Sequence, residues 1–270
     1  MSRRERAVRK VLLKEKRYVI NQLMKEKRSE ELESLEEVFD KSTLMLMYRL
    51  LNRGLLLYLN GVVRSGKESR IYWGKDPSDK DVAVKIYLTQ SAEFRKGMLP
   101  YIEGDPRFKH VKRDTRSLIY LWAQKEFKNL HLCWINKIKV PRPIFVEGNV
   151  LLMHFVGKNG EPAPLLKEKL LRDYVNFYDM IIKEVSNLYI KANLVHGDLS
   201  EYNIMVYRNN PLLIDFSQAV HVNHPHSSEF FLRDMRNINR YFNNIVPTVS
   251  PEGLLEKVME KIGRDKSVDS

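Results

Sequence analysis

His196-Gly197-Asp198-Leu199-Ser200-Glu201-Tyr202-Asn203, followed by Leu212-Leu213-Ile214-Asp215-Phe216, is the stretch on which the reading of this chain turns. Two short strand-like runs, 204–207 and 212–214, flank a turn signal at Asn209-Asn210-Pro211, so Asp215 emerges from a small hairpin just beyond Asn203. Taken singly, Asp198 and Asn203 are ordinary turn formers. Together with Asp215 they supply two carboxylates and an amide oxygen, the hard ligands that a divalent cation takes when it bridges phosphate oxygens. Phosphoryl transfer asks for that set plus one carboxylate near the acceptor hydroxyl. Asp198 would orient or deprotonate the acceptor, while Asn203 and Asp215 would hold the metal.

Working outward, residues 55–87 alternate in strand fashion. The runs are 55–59, a turn signal at Asn60-Gly61, Val62 and Val63, then 69–73, a turn at Pro77-Ser78-Asp79-Lys80, and 82–87. They predict three short antiparallel strands. Val82-Ala83-Val84-Lys85 closes the last strand on a lysine, and a strand-end lysine alone is commonly solvated. Residues 116–132 return to helix period, and Glu126 falls seven after Ile119 and four after Trp122, on the apolar stripe. A buried carboxylate needs a partner, and Lys85 is the natural one. Arg64-Ser65-Gly66-Lys67-Glu68-Ser69 lies between the first strands; Ser65, Lys67, Ser69 and the local N–H groups are candidate phosphate contacts, although one glycine makes a poor phosphate loop.

The rest of the chain organises around these elements. Ser42 and Thr43 offer an N-cap to the apolar run 44–51. Residues 89–115 read as a long mobile loop, 144–147 and 150–155 as a strand pair, and 170–191 as a helix. The expected fold class is α+β: residues 1–54 a basic helical segment, 55–156 a small antiparallel-sheet lobe, and 157–270 a mainly helical lobe with the catalytic and metal-binding loops.

Composition narrows the setting. Of the net charge of +12, residues 1–28 contribute +8 through eleven Lys or Arg against three Glu. Val8, Val11, Leu12, Val19 and Leu23 recur there at roughly helical spacing, which predicts a basic amphipathic helix suited to RNA phosphates or an acidic partner. No apolar run reaches the roughly 18 residues a membrane span needs, and the single cysteine, Cys133, sits in an apolar stretch as a core thiol. A soluble cytoplasmic protein is expected.

The Asp-Asn-Asp spacing and the strand lysine resemble a kinase catalytic loop, metal-binding segment and phosphate-neutralising strand. The match is narrower than that. The Ser65-Gly66-Lys67-Glu68 loop, Tyr101-Ile102-Glu103-Gly104-Asp105-Pro106-Arg107-Phe108, Trp122-Ala123-Gln124-Lys125-Glu126-Phe127, Ser217-Gln218, and His224-Pro225-His226 with Arg233-Asp234 are similar to the RIO kinase family, type 1 branch, over residues 39–242. The resemblance implies a two-lobed kinase-like fold without a long activation loop. It also implies use of ATP with Mg²⁺ (Mn²⁺ as the alternative metal), serine autophosphorylation or ATP hydrolysis, and a role in maturing the small ribosomal subunit precursor and its rRNA. By the same resemblance Met153 guards the back of the adenine pocket, His154 and Val156 offer backbone groups to the base, and Asp215 can itself carry phosphate. His154 stands where the family often has an acidic or small polar residue, and Arg64-Ser65 where Ser-Thr is usual. A small-molecule phosphotransferase of the aminoglycoside or choline type and a nucleotide-binding scaffold without turnover are the competing readings. His221, His224 and His226 raise a weaker zinc-site reading.

Overall fold

The computed structural model describes residues 39–88, 97–108 and 114–268. The predicted basic helix of residues 1–28 lies outside them, as do 89–96 and 109–113 of the predicted loop.

The first helix, α1 (Lys41–Asn52), is capped two to three residues before the predicted Ser42 or Thr43, because Asp40 accepts the Thr43 N–H at 2.8 Å. Thr43 is thereby freed for a different task. Its hydroxyl and the Asn149 amide bond to each other in the interior, and Asn149 also donates to the Tyr87 carbonyl at 2.8 Å. This polar knot ties α1 to the sheet across more than a hundred residues.

The sheet holds β1 (Tyr58–Ser65), β2 (Ser69–Lys75), β3 (Asp81–Tyr87), β4 (Pro143–Glu147) and β5 (Val150–His154), all neighbours antiparallel, in the order β1-β2-β3-β5-β4. Asn60-Gly61 does not turn the chain, contrary to expectation. Both flanks of that dipeptide pair with β2, Leu59 opposite Gly74 and Val62 opposite Tyr72, so the extra residue bulges within one strand. The hairpin signal fails because the two flanking runs share a partner instead of pairing with each other.

Across the sheet lies α2 (Thr115–Ile135), capped by Asp114 accepting the Ser117 N–H at 2.9 Å. Its residues Leu118, Ile119, Trp122 and Ala123 pack with Met98 and Ile102. Residues 97–108 are therefore not the loose loop the composition suggested: a 3-10 turn at Leu99–Tyr101 is flanked by Met98 and Ile102, whose side chains are buried against the helix. Cys133 is buried, as a core thiol should be.

After a short hairpin, β6 (Gly157–Lys158) with β7 (Glu161–Pro162), the second lobe begins. Its long helix α3 (Tyr174–Ala192) starts later than predicted because Asp173 caps it by accepting the Asn176 N–H at 3.0 Å. Asn193 ends it in the left-handed conformation (φ 52°). The chain then runs through β8 (Leu194–Val195), β9 (Ile204–Tyr207), β10 (Asn210–Leu213) and β11 (Val220–His221) into α4 (Ser227–Phe242) and α5 (Pro251–Val268). In the β9–β10 hairpin Tyr207 faces Asn210. The turn is thus Arg208-Asn209, both at positive φ (52° and 59°), one residue earlier than the proline suggested. The result is the expected two-lobed α+β architecture, and the main apolar core runs from Ala83 and Met153 in the sheet into α3, α4 and α5. Among the described residues no helix is long and apolar enough to cross a membrane.

Candidate active site

Between the lobes lies a cavity of about 570 Å³, in the range of small-molecule sites. Val63, Ile71 and Ala83 line it from the sheet, Leu165, Met205 and Ile214 from the helical lobe, and Met153 to Val156 along the connection. Two apolar walls and one strip of backbone suit a flat heteroaromatic ring. At the connection the His154 N–H donates to the Arg142 carbonyl at 2.9 Å, and the Val156 carbonyl accepts from Ala163 at 2.9 Å. Met153 to Val156 offer the cavity a strip of backbone, with His154 and Val156 both on it.

The opposite end is charged. β3 places Lys85 opposite Leu151 of β5, and its ammonium reaches Glu126 Oε1 at 2.9 Å and Asp215 Oδ1 at 3.0 Å. The expected Lys85–Glu126 pair is therefore formed, with both partners almost wholly buried. Tyr87, which sequence reasoning missed, donates its hydroxyl to the other oxygen of Glu126. Burial opposes the charge on Asp215, yet the Lys85 ammonium and hydrogen bonds from Lys85 and Ser217 hold its carboxyl down at about 2. Burial likewise favours neutral Lys85, and the Asp215 and Glu126 charges overcome it, raising the lysine above its usual range.

Asp215 follows β10 with φ 63°, in the left-handed region. Asn203, which lines the cavity, donates its amide to the Asp198 carbonyl at 2.7 Å and to Asp198 Oδ2 at 3.2 Å. Burial first, then the Asp215 charge, pushes the Asp198 carboxyl above its ordinary value, the direction that suits a group that takes up a proton. The catalytic loop rests on α4: Asp234, buried, accepts the N–H groups of Gly197 at 2.7 Å and Leu199 at 2.8 Å. Arg233 donates to the Gly197 carbonyl and, at 3.1 Å, to the Tyr101 hydroxyl.

Of the residues singled out in the sequence, Lys85, Glu126, Met153, His154, Val156, Asn203, Asp215, Lys67 and Ser69 line the cavity. Asp198 sits beside it, held through Asn203. Ser65 does not line it; it ends β1 opposite Arg70, and Gly66 turns the chain toward the cavity after it. Of the three histidines, His221 accepts the Asn223 N–H at 3.1 Å, His226 is exposed beside Glu229, and His224 is buried. His224 bonds the Glu103 carbonyl at 2.9 Å through one nitrogen and the His226 N–H at 3.1 Å through the other, which leaves no lone pair for a metal. Among the described residues no cluster of three or more His, Cys, Asp or Glu is placed to hold an ion.

A sheet lysine paired with a helix carboxylate, an Asp–Asn loop and an acid after a hairpin, gathered around one cleft between two lobes, define a phosphotransferase of the kinase fold. Comparison with known proteins narrows the class. The RIO domain profile matches residues 70–253. The RIO-type serine/threonine-protein kinase Rio1 of Methanocaldococcus jannaschii is 41% identical over 213 residues, covering 79% of this chain and 72% of the relative. Its counterpart in Haloferax volcanii is 36% identical over 234 residues, covering 87% and 80%. Serine/threonine-protein kinase RIO1 of Caenorhabditis elegans is 36% identical over 242 residues, 88% of this chain, which spans only 47% of that longer protein. Among solved structures the Rio2 kinase from Chaetomium thermophilum, crystallised as an ADP/Mg²⁺-phosphoaspartate complex, superposes with a TM-score of 0.62 at 23% identity, over 82% of this chain and 66% of that one, a likeness of fold. The chain belongs to the RIO-type serine/threonine-protein kinase family.

Proposed function

We propose that the cleft binds ATP with Mg²⁺ and transfers the γ-phosphoryl group either to a serine hydroxyl, in autophosphorylation, or to Asp215 and thence to water. The observation that carries this reading is the convergence of Lys85, Asp215 and the Asp198–Asn203 pair at one end of the cavity. Lys85, fixed by Glu126, neutralises phosphate oxygens, while the base lies between the apolar walls against the backbone of His154 and Val156. Met153 closes the back of the base site, and Lys67 and Ser69 meet the phosphates from the loop after β1.

The donors fit Mg²⁺. A carboxylate kept ionised to about 2 and an amide oxygen are hard ligands of the kind that ion takes. Bound there, it would neutralise charge on the phosphate oxygens. Asp198 orients the acceptor hydroxyl and takes its proton as the O–P bond forms and the bond to ADP breaks; its raised pKa suits that task.

From Phe216 only eleven residues lead to the start of α4 at Ser227, too few for a long platform that would dock a peptide. This favours self-modification or ATP hydrolysis over a broad choice of protein acceptors. With eleven basic residues in positions 1–28, it also favours action on the small ribosomal subunit precursor and its rRNA in the cytoplasm, where nucleotide state would set binding and release. The chain's match to Rio1 serine/threonine-protein kinases supports phosphoryl transfer at this cleft.

The test is phosphate release and autophosphorylation from labelled ATP with Mg²⁺, for the whole chain, Asp198→Ala and Asp215→Asn, with and without purified small ribosomal subunits. Turnover abolished by both substitutions and altered by subunits is expected. ATP binding without turnover under either condition would leave a nucleotide-regulated scaffold in its place.

A further inference from the structure

The helix that carries Glu126 also carries Lys125 and Asn129, both fully buried. Residues 125 and 129 are one turn apart and share a face, while 126 points about 100° away. Glu126 reaches Lys85. Lys125 instead donates to the Ser217 carbonyl at 2.9 Å and to that of Ala219, and Asn129 donates to the carbonyls of Phe216 at 2.8 Å and Ala219 at 2.9 Å. These acceptors begin one residue after Asp215.

The stretch needs such donors. Phe216, Ser217 and Ala219 are buried before β11 resumes regular pairing at Val220, and buried carbonyls without partners cost free energy. A lysine is an expensive way to supply them, because burial works against its charge and drives its pKa well down. In either protonation state the amine keeps at least two hydrogens for the two carbonyls. An apolar helix residue would have filled the space without holding the backbone.

Holding matters at this point because Asp215 sits at φ 63°, a conformation that a non-glycine residue adopts only when its surroundings impose it. The chain of contacts continues outward: the Asn129 amide oxygen accepts from Arg107 at 2.7 Å, and Arg107 is held by two bonds to Asp105 at 2.8 and 2.6 Å. The segment 97–108 is thus wired through α2 to the backbone behind Asp215.

We propose that Lys125 and Asn129 are positioning residues that clamp the backbone after Asp215 so that its carboxylate faces the metal and phosphates, and that Arg107 couples the 97–108 segment to this clamp. The inference rests on the reading of Asp215 as a ligand of the nucleotide-bound metal. One helix then sets both charged partners of the site, Lys85 through Glu126 and Asp215 through Lys125 and Asn129, and any shift of α2 moves them together.

The test is calorimetric binding of ADP to the whole chain, with and without saturating Mg²⁺, for wild type, Lys125→Met and Arg107→Ala. Wild type should bind ADP more tightly with Mg²⁺. In Lys125→Met that enhancement is expected to fall by about tenfold, and in Arg107→Ala by about threefold, with metal-free affinity within about twofold of wild type, as the removal of one or two hydrogen bonds behind the ligand predicts. Folded variants with an unchanged Mg²⁺ enhancement would overturn the clamp. So would an equal loss of ADP affinity in both conditions, which marks a merely structural role. If Lys125→Met does not fold, Arg107→Ala decides by the same criteria, since Arg107 touches neither Asp215 nor the cavity. A wild type with no Mg²⁺ enhancement would instead remove the metal reading of Asp215, and the clamp with it.

Discussion

Lys85 and Glu126, 41 residues apart in the chain, meet at 2.9 Å with side-chain exposures of 5% and 1%. A buried pair of this kind stabilises little relative to apolar residues, and its rupture is costly because one charge is left behind. Lys85→Met strands Glu126, and Asp215 loses its cation as well. Burial already pushes the Glu126 carboxyl upward, so protonation limits the damage, and a loss of about 3 kcal/mol is expected in denaturant titration. Glu126→Gln keeps a polar partner for Tyr87 and Lys85 and should cost less stability. Turnover of ATP should nevertheless fall at least about tenfold, because the lysine is no longer fixed. Equal destabilisation by the two substitutions would contradict this account.

The Lys85–Asp215 bond gives a pH prediction with a definite sign. Burial works to raise the Asp215 carboxyl, but Lys85 and Ser217 hold it at about 2, below the roughly 3.9 of an unfolded aspartate. A depressed carboxylate contributes stability above the unfolded value and loses it as pH falls through the folded one. Urea midpoints measured between pH 2 and 6 should drop for the wild type below about pH 4. Those of Asp215→Asn should drop less, so that the two curves converge near pH 2. Parallel curves across the range would refute the pairing.

The site was legible in the sequence where chemistry dictates residue type at short spacing. Asp198, Asn203 and Asp215 stand within one loop and hairpin, and the helical period alone put Glu126 on the buried stripe. The supporting residues were not legible, because their partners are far away in the chain. Asn129 reaches Phe216 across 87 residues and Asp234 reaches Gly197 across 37. Lys125 falls seven after Leu118 and three after Trp122, on the apolar stripe by the spacing that also placed Glu126, but nothing local says which distant carbonyls a lysine or asparagine there would serve. The turn expected at Asn60-Gly61 failed for the same reason, since which strand pairs with which is not a local property. Ser65 lies outside the lining because it is still paired with Arg70 at the end of β1, and where a strand ends depends on its partner rather than on local residues.

Asp234 is expected to act on rate more than on nucleotide binding. Each of its oxygens accepts one backbone N–H of the loop that carries Asp198, whereas asparagine would turn an N–H₂ toward one of those donors. Asp234→Asn should lower kcat by roughly 10- to 100-fold and stability by about 1–3 kcal/mol, with the KM for ATP nearly unchanged. Steady-state kinetics over a range of ATP separate the two constants. A rise in KM at constant kcat would show that the loop serves binding instead.

Thr43→Val makes the opposite split. The substitution removes one side of the buried Thr43–Asn149 exchange but leaves Asn149 its bond to the Tyr87 carbonyl. A loss of about 1 kcal/mol is expected, with ATP turnover at permissive temperature equal to wild type, because α1 touches the sheet on the side away from the cavity lining. Turnover that fell with stability intact would mean that α1 sets the position of β3 and, through it, Lys85.

Under the proposed ribosomal role, the basic residues of positions 1–28 supply affinity for RNA and little else. Removing them takes away +8 of the net +12. For every RNA phosphate that these side chains no longer neutralise, the slope of log affinity against log salt should fall by about 0.7 to 0.9. Binding of the full chain and of a chain lacking residues 1–28 to single-stranded rRNA fragments, measured by anisotropy from 50 to 300 mM salt (roughly the range over which such ion pairs are screened), reads that slope directly. The shortened chain should bind more weakly, with a flatter salt dependence, while its ATP affinity stays at the wild-type value because the cleft is built from residues 63–217. An unchanged slope would place the RNA-facing charge on the folded lobes and remove the basic segment from the recognition.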